Sequence, residues 1–306
     1  MTAPVLRAGR DADGDGFIAL LTACWLEYPG CVVDIDGESP ELHALASYFA
    51  ARDGALWAAE QAGRVVGMIG TRPLGGGVWE LCKVYAYADQ RGTGLAQALV
   101  AAAEDFARGR GAVEMKLWSD TRFDRAHRFY EKLFYVREGA IRVLSDLSNT
   151  LEFGYAKPLA GVAVRTLDAA AAGSAEVGLA RLGGDKAIWR KISSAVALGN
   201  LLLLVAWVDG VLTGAVTLDL ATPVGQRHRA ALHAWGVTDA ALLQRAEQAA
   251  RAAGRRLLTV EVVEDDPAET VFRQRGWIEA GRIPGYLTGE NYPPKAMSSF
   301  YKFVDC

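Results

Sequence analysis

The hydrophobic and polar positions of the chain run through one long pattern twice. In the first pass Val5–Ala8 reads as a short strand. Residues 17–27 repeat apolar positions at helical spacing behind the candidate N-caps Asp13 and Asp15. A second helix follows Pro40, carried by Leu42, Leu45, Tyr48 and Phe49. Three strands are then expected in close succession, at 55–61, at 64–71 after Ala62-Gly63, and at 78–87 after Gly75-Gly76-Gly77. A long helix at 94–110 stops at Gly111. A strand at 113–118, a helix at 123–133 and strands at 136–143 and 150–156 complete the order β-α-α-β-β-β-α-β-α-β-β.

Pro158-Leu159-Ala160-Gly161 reads as a linker, and the same order then begins again. A strand at 162–167 leads to helices at 169–182 and 185–198, then to a hairpin of 201–208 and 211–220 around Asp209-Gly210. A strand at 228–235, a helix at 239–253, a strand at 257–263, a short helix at 267–275 and a closing strand at 297–304 follow. One element order used twice predicts an internal duplication of a mixed α/β fold, with domains at 1–158 and 162–306. Each copy is expected to have a mixed central sheet flanked by helices. A repeat of about 150 residues is too long for a solenoid unit, so each copy should own a core.

Composition narrows the classes. The chain has 306 residues, 51% hydrophobic and 23% charged, which fits packed globular domains. Its 33 basic and 36 acidic side chains leave a net charge of −3, which argues against gripping nucleic acid. The longest apolar run, 201–208, is strand length, far short of the roughly 20 residues a membrane span needs. No basic region followed by an apolar stretch is visible at the start. Cys24, Cys31, Cys82 and Cys306 form no CxxC pair, so reduced thiols and a cytoplasmic protein are expected, with no metal site.

Chemistry concentrates between Glu80 and Ala96. The strand Glu80-Leu81-Cys82-Lys83-Val84-Tyr85-Ala86 runs into Gln90-Arg91-Gly92-Thr93-Gly94-Leu95-Ala96, which opens a helix. Successive backbone N–H groups without bulky side chains, at a positive helix end, form a cradle for a phosphate or diphosphate. A P-loop is excluded because no Lys-Ser/Thr follows the glycines. The dinucleotide fingerprint needs a small residue where Gln97 stands, and a βαβ unit where three hairpin-linked strands precede. An ordinary strand-to-helix turn remains open from these residues alone.

Gln90-Arg91-x-x-Gly94-x-Ala96 resembles the acetyl-CoA loop of the GNAT N-acetyltransferases. Ala126-His127-Arg128-Phe129-Tyr130 resembles that family's second signature, Ala-x-x-Phe-Tyr. Both lie in the family's order within residues 1–158. The departure is Phe134, where the family usually has Gly before an aromatic, here Tyr135. The resemblance implies acetyl transfer from acetyl-CoA to a primary amine of a small molecule or peptide, by direct attack through a tetrahedral intermediate. It places the diphosphate at Gln90, Arg91, Gly92, Thr93, Gly94 and Leu95, with Ala96 allowing close approach. It lays the pantetheine arm along Val84, Tyr85 and Ala86, one of whose backbone N–H groups polarises the thioester carbonyl. An amine of pKa about 10.4 is only about one part in 10³ free base at neutral pH. Glu80 stands where many members of the family keep a base, on one face with Cys82 and Val84 by strand alternation. Tyr130 is the expected donor to the leaving thiolate.

Plainer readings stand beside these. Glu80 as a solvated strand-end carboxylate and Tyr130 as core are both open. Trp25, Tyr28, Asp34 and His127 are candidates for the acceptor side but read first as packing residues, and Asp120, at the end of its strand, is open both to meeting a substrate and to capping the following helix. The run Asp11-x-Asp13-Gly14-Asp15-Gly16 copies the start of an EF-hand loop, but position twelve is Thr22 instead of Glu. It is read as a helix N-terminus.

The second half echoes the first. Ala268-Glu269-Thr270-Val271-Phe272 overlays the segment that starts at Ala126. Arg227-His228-Arg229-Ala230, Gly281-Arg282-Ile283-Pro284-Gly285-Tyr286 and Phe300-Tyr301-Lys302 resemble the GNAT subgroup of tabtoxin-resistance acetyltransferases. Ala231 replaces the strand carboxylate, Phe272 the tyrosine, and Gly236-Val237-Thr238-Asp239 the glycine cradle. This copy is expected to be non-catalytic and poor at holding CoA. A non-catalytic acyl-CoA-binding regulatory module, or transfer of a longer acyl group, stays open as an alternative.

Overall fold

The structure is a computed structural model that describes residues 3–289 and 292–304. The chain forms two compact units, Met1–Tyr130 with Arg137–Ala160, and Glu131–Val136 with Gly161–Cys306. No helix among the described residues is long and apolar enough to cross a membrane.

Unit 1 contains β1 (Val5–Ala8), α1 (Gly14–Trp25), α2 (Ile35–Glu38), α3 (Leu45–Ala50), β2 (Ala55–Gln61), β3 (Arg64–Gly75) and β4 (Val78–Ala86). There follow α4 (Leu95–Arg108), β5 (Glu114–Asp120), α5 (Asp124–Lys132), β6 (Val136–Val143) and β7 (Leu151–Pro158). The sheet order is β1-β2-β3-β4-β5-β7-β6, with β4 and β5 parallel and β5 antiparallel to β7. Alternation along β3 assigns its two faces. Gly70 lies under the Phe49 ring, where a Cβ would fall 2.1 Å from the ring, while Gly67 faces Leu99 and Leu95 of α4. The first face carries the core of α1 and α3, with Phe17, Leu20, Leu21 and Phe49 buried against Met68. The other is covered by α4, which buries Leu95, Leu99, Val100 and Ala103 at helical spacing. The short helix α2, with Asp34 accepting from the Gly37 N–H, was not among the expected elements.

Unit 2 contains β8 (Val162–Leu167), α6 (Ala169–Leu179), α7 (Lys186–Ala197), β9 (Leu201–Val208), β10 (Val211–Asp219) and β11 (Arg229–Gly236). It continues with α8 (Ala240–Ala252), β12 (Leu257–Val263), α9 (Ala268–Gln274), β13 (Ile278–Gly289) and β14 (Tyr292–Phe303). Its sheet reads β8-β9-β10-β11-β12-β14-β13, the order of unit 1 element for element. The one parallel pair, β11 with β12, again joins four residues to four.

A buried ion pair is repeated as well. Lys157 of β7 donates to Glu104 of α4 at 2.8 and 3.0 Å. In unit 2, Lys302 of β14 donates to Glu247 of α8 at 3.0 Å. Trp277 and Arg275 complete that second carboxylate's shell.

Strand β13 was not expected, and β14 starts earlier than residue 297. Gly281, Pro284 and Gly285 read as turn residues in isolation. Pairing across to β14, with three register irregularities, carries them as a strand nonetheless.

Candidate functional site

The parallel pairing of β4 with β5 stops at Leu81 and Leu117. Beyond that point the two strands part. A cavity of about 150 Å³ lies in the split, lined by Cys82 to Tyr85 on one side and Trp118 to Asp120 on the other. Such a crevice beyond the carboxyl ends of parallel strands is where open α/β sheets accept ligands. Strand β4 also bulges here. Met68 pairs with Tyr85 and Gly70 with Cys82, so Lys83 and Val84 together oppose Ile69 alone. Lys83 takes a φ of 53°, and its ammonium pairs with Glu41 at 2.9 Å. The bulge breaks the alternation expected from sequence: Tyr85, not Val84, shares the face of Cys82. Because β5 has already left, residues 82–86 keep one backbone edge free of a parallel partner.

The β4 strand leads into the glycine-bearing turn. Gly92 and Gly94 have φ of 75° and 90°, conformations costly for any other residue, and a Cβ at either would meet only open space. Gly94 is the N-cap of α4 and, as glycine, brings no capping side chain of its own. The Thr93 hydroxyl donates to the Gln90 carbonyl at 2.8 Å, and the Leu95 N–H donates to the same hydroxyl at 3.3 Å. The amides at the helix end therefore face an open cradle suited to an anion. Gln90 is buried and donates to Gln61 at 3.1 Å, fixing the base of the turn. Arg91 is turned to Glu27, at 2.5 and 2.6 Å, and Arg125 reaches the same carboxylate at 3.0 Å. The cradle thus rests on main-chain amides instead of on a free guanidinium.

Tyr130 is buried and lines the cavity with Tyr85. The Tyr85 hydroxyl accepts from Trp25 Nε1 at 2.9 Å. Burial pushes both phenols up, so both stay protonated over the working range. Burial and then Glu80 push the Cys82 thiol up to about 12.

Glu80 sits differently from the sequence expectation. It is buried, but it is not among the cavity-lining residues. Its Oε2 accepts from Arg72 Nε at 2.8 Å and from the Cys82 thiol at 3.4 Å. Three carboxylates do line the cavity, Asp120, Asp146 and Glu152, the last on β7 directly across from Asp120 of β5. Burial holds the Glu152 carboxyl above the usual range, against the opposing pull of Arg142, whose Nε donates to Oε2 at 2.7 Å. A sequence signal existed: one carboxylate in the apolar run Leu151-Glu152-Phe153-Gly154-Tyr155.

Of the other residues weighed, Trp25 lines the cavity and Tyr28 packs against Phe123 with ring centroids 4.6 Å apart and planes tilted by 43°. Asp120 also lines it and holds Arg122 at 2.5 to 3.0 Å. His127 bonds the Asp120 carbonyl at 2.9 Å, and burial lowers its pKa, which suits a packed neutral imidazole. In the acidic run, Asp13 accepts from Arg7 at 2.7 Å and Asp11 accepts from the Ser47 N–H at 3.0 Å.

The second copy differs at each corresponding place. Strand β11 pairs with β10 in unbroken register from Ala231 to Gly236, without a bulge. Helix α8 is capped by Asp239, whose carboxylate accepts from the Leu242 N–H at 2.7 Å. Phe272 packs between Trp277 and Phe300 in the core.

The model of the "Acetyltransferase (GNAT) family" matches residues 18–134. No curated protein matches the chain. Among solved structures, an acetyltransferase from Streptococcus agalactiae is 19% identical over 52% of this chain and 100% of its own, with a TM-score of 0.46. A ribosomal-protein-alanine N-acetyltransferase from Brucella melitensis is 18% identical over 51% of this chain and 99% of its own, with a TM-score of 0.41. A Salmonella typhimurium protein solved with its cofactor acetyl-CoA is 14% identical over 47% of this chain and 95% of its own, with a TM-score of 0.40.

Proposed function

We propose that unit 1, whose residues 18–134 match the model of the GNAT acetyltransferase family, moves an acetyl group from acetyl-CoA to a primary amine of a small molecule or peptide. The observation that carries the reading is one continuous path. An open, glycine-built helix end lies at Gly92 to Leu95, and the unpaired edge of β4 leads from it into a cavity holding Tyr130. The amides of the turn take the diphosphate, and the free edge at Val84 to Ala86 takes the pantetheine arm as an added strand. Acetyl-CoA brings the activated thioester. A backbone N–H of β4 stabilises the oxyanion as the amine attacks, and Tyr130 gives its proton to the sulfur as the carbon–sulfur bond breaks. Consumption of acetyl-CoA with release of a free thiol, measured against a panel of amines, tests this directly.

Glu80 takes a supporting part in this reading. Its carboxylate fixes Arg72 beside Cys82, at the point where β4 begins to bulge. Glu80→Gln is expected to lower stability by about 1–3 kcal/mol, the range for a buried hydrogen-bonded charge that loses its pairing. Turnover should stay within about threefold, and a far larger drop in kcat at unchanged fold would return the base to Glu80.

Unit 2 is read as non-catalytic. Asp239 already occupies the amides that a diphosphate would use. Titration calorimetry on the whole chain should therefore give one acetyl-CoA per chain; two equivalents would contradict this.

A further inference from the structure

Resting on the acetyltransferase reading, we infer that the acceptor is a compact amine bearing no carboxylate, whose amino nitrogen is received by Glu152. The charges in the cavity are unequal in availability. Arg122 is the guanidinium of the lining; its charge is matched by Asp120, and four of its five N–H groups are taken. Nε and Nη2 hold Asp120, Nη2 also reaches Thr150 Oγ1 at 3.2 Å, and Nη1 reaches the Ser148 carbonyl at 3.3 Å. Lys83 is committed to Glu41. No free cation is left among the described lining residues to clamp a substrate carboxylate.

The acids are different. Asp120 is neutralised by Arg122, and Asp146 caps the Thr150 N–H at 2.7 Å. Glu152 offers more, because Arg142 holds only Oε2 and no described residue donates to Oε1. Its side chain is 14% exposed and is part of the cavity lining. Trp25, Trp118, Tyr85 and Phe123 supply aromatic walls for the body of an amine and for its cation. A cavity of about 150 Å³ is the size that takes a single aromatic ring.

The protons balance as follows. The bound ammonium gives one proton to Glu152, which passes it to solvent. The neutral nitrogen attacks the carbonyl carbon, and the carbon–sulfur bond breaks. Tyr130 protonates the sulfur and is restored by the second proton leaving nitrogen, so amide, thiol and one released proton result. The raised carboxyl of Glu152 helps here, because a better base sits closer to the amine it must deprotonate.

The test compares 2-phenylethylamine with L-phenylalanine as acceptors for the full chain, with acetyl-CoA binding measured in parallel by calorimetry. The amine should be preferred in kcat/KM by about 30-fold. Glu152→Gln should lose about 30-fold with the amine while keeping its affinity for acetyl-CoA. Equal use of the two acceptors, or an unaffected Glu152→Gln, overturns the inference while leaving acetyl transfer intact. Failure to bind acetyl-CoA at all would instead remove the reading beneath it.

Discussion

Replacing Gly94 by valine is expected to weaken acetyl-CoA binding by a hundredfold or more, with the fold retained. At a φ of 90° a β-branched residue is held in a region that only glycine visits freely, at roughly 1–3 kcal/mol. The turn can relax from that strain only by moving its N–H groups off the geometry that meets an anion. A Cβ at this position meets no protein atom within 4 Å, so the branched side chain grows out into the open cradle itself. Strain and obstruction therefore act on the ligand far more than on the core, which α4 forms with Leu95, Leu99 and Val100. Calorimetry should show the lost affinity, and circular dichroism an intact fold. Binding within fivefold of the parent would place the diphosphate elsewhere.

Tyr130→Phe is expected to lower kcat by about 100- to 1,000-fold while leaving acetyl-CoA affinity within about twofold. In water a phenol is a poor acid toward a thiolate. Inside this cavity burial raises both partners, so the phenol and the sulfur keep roughly the relation they have in water. Burial, with Glu80 next, pushes the Cys82 thiol up to about 12, and a coenzyme sulfur leaving into the same desolvated space is made more basic in the same way. The buried phenol of Tyr130 remains protonated until that moment. Phe preserves the ring and its contacts with Phe129 and Tyr155, so the loss should fall on chemistry and not on packing. Stopped-flow thiol release separates the two, and an unchanged burst rate would remove Tyr130 from the mechanism.

Much of this architecture is legible in the sequence because periodicity and punctuation agree. Val5–Ala8, Leu201–Val208 and Leu257–Val263 stand where alternation or short apolar runs place them. The glycine turn and the Ala126 to Tyr130 segment were legible because glycine and aromatic spacing have few other uses. The bulge at Lys83 was not legible. Nothing in Cys82-Lys83-Val84 announces a positive φ, and the register that forces it is a property of β3. That one residue moved Tyr85 into the place alternation gave to Val84. The surroundings of Glu80 were illegible for a related reason: spacing tells which strand a carboxylate is on, but not that Arg72 of the neighbouring strand pairs with it. Strand β13 was hidden because Pro and Gly are local signals and strand pairing is not.

The Asp239 carboxylate at the start of α8 has a consequence for the lifetime of the chain. A helix end that closes on its own side chain needs nothing from outside, whereas on the proposed function the glycine-built end of α4 has amides left for the coenzyme to take. Resistance to local opening in unit 1 then rises and falls with the cell's supply of acetyl-CoA, and that of unit 2 does not.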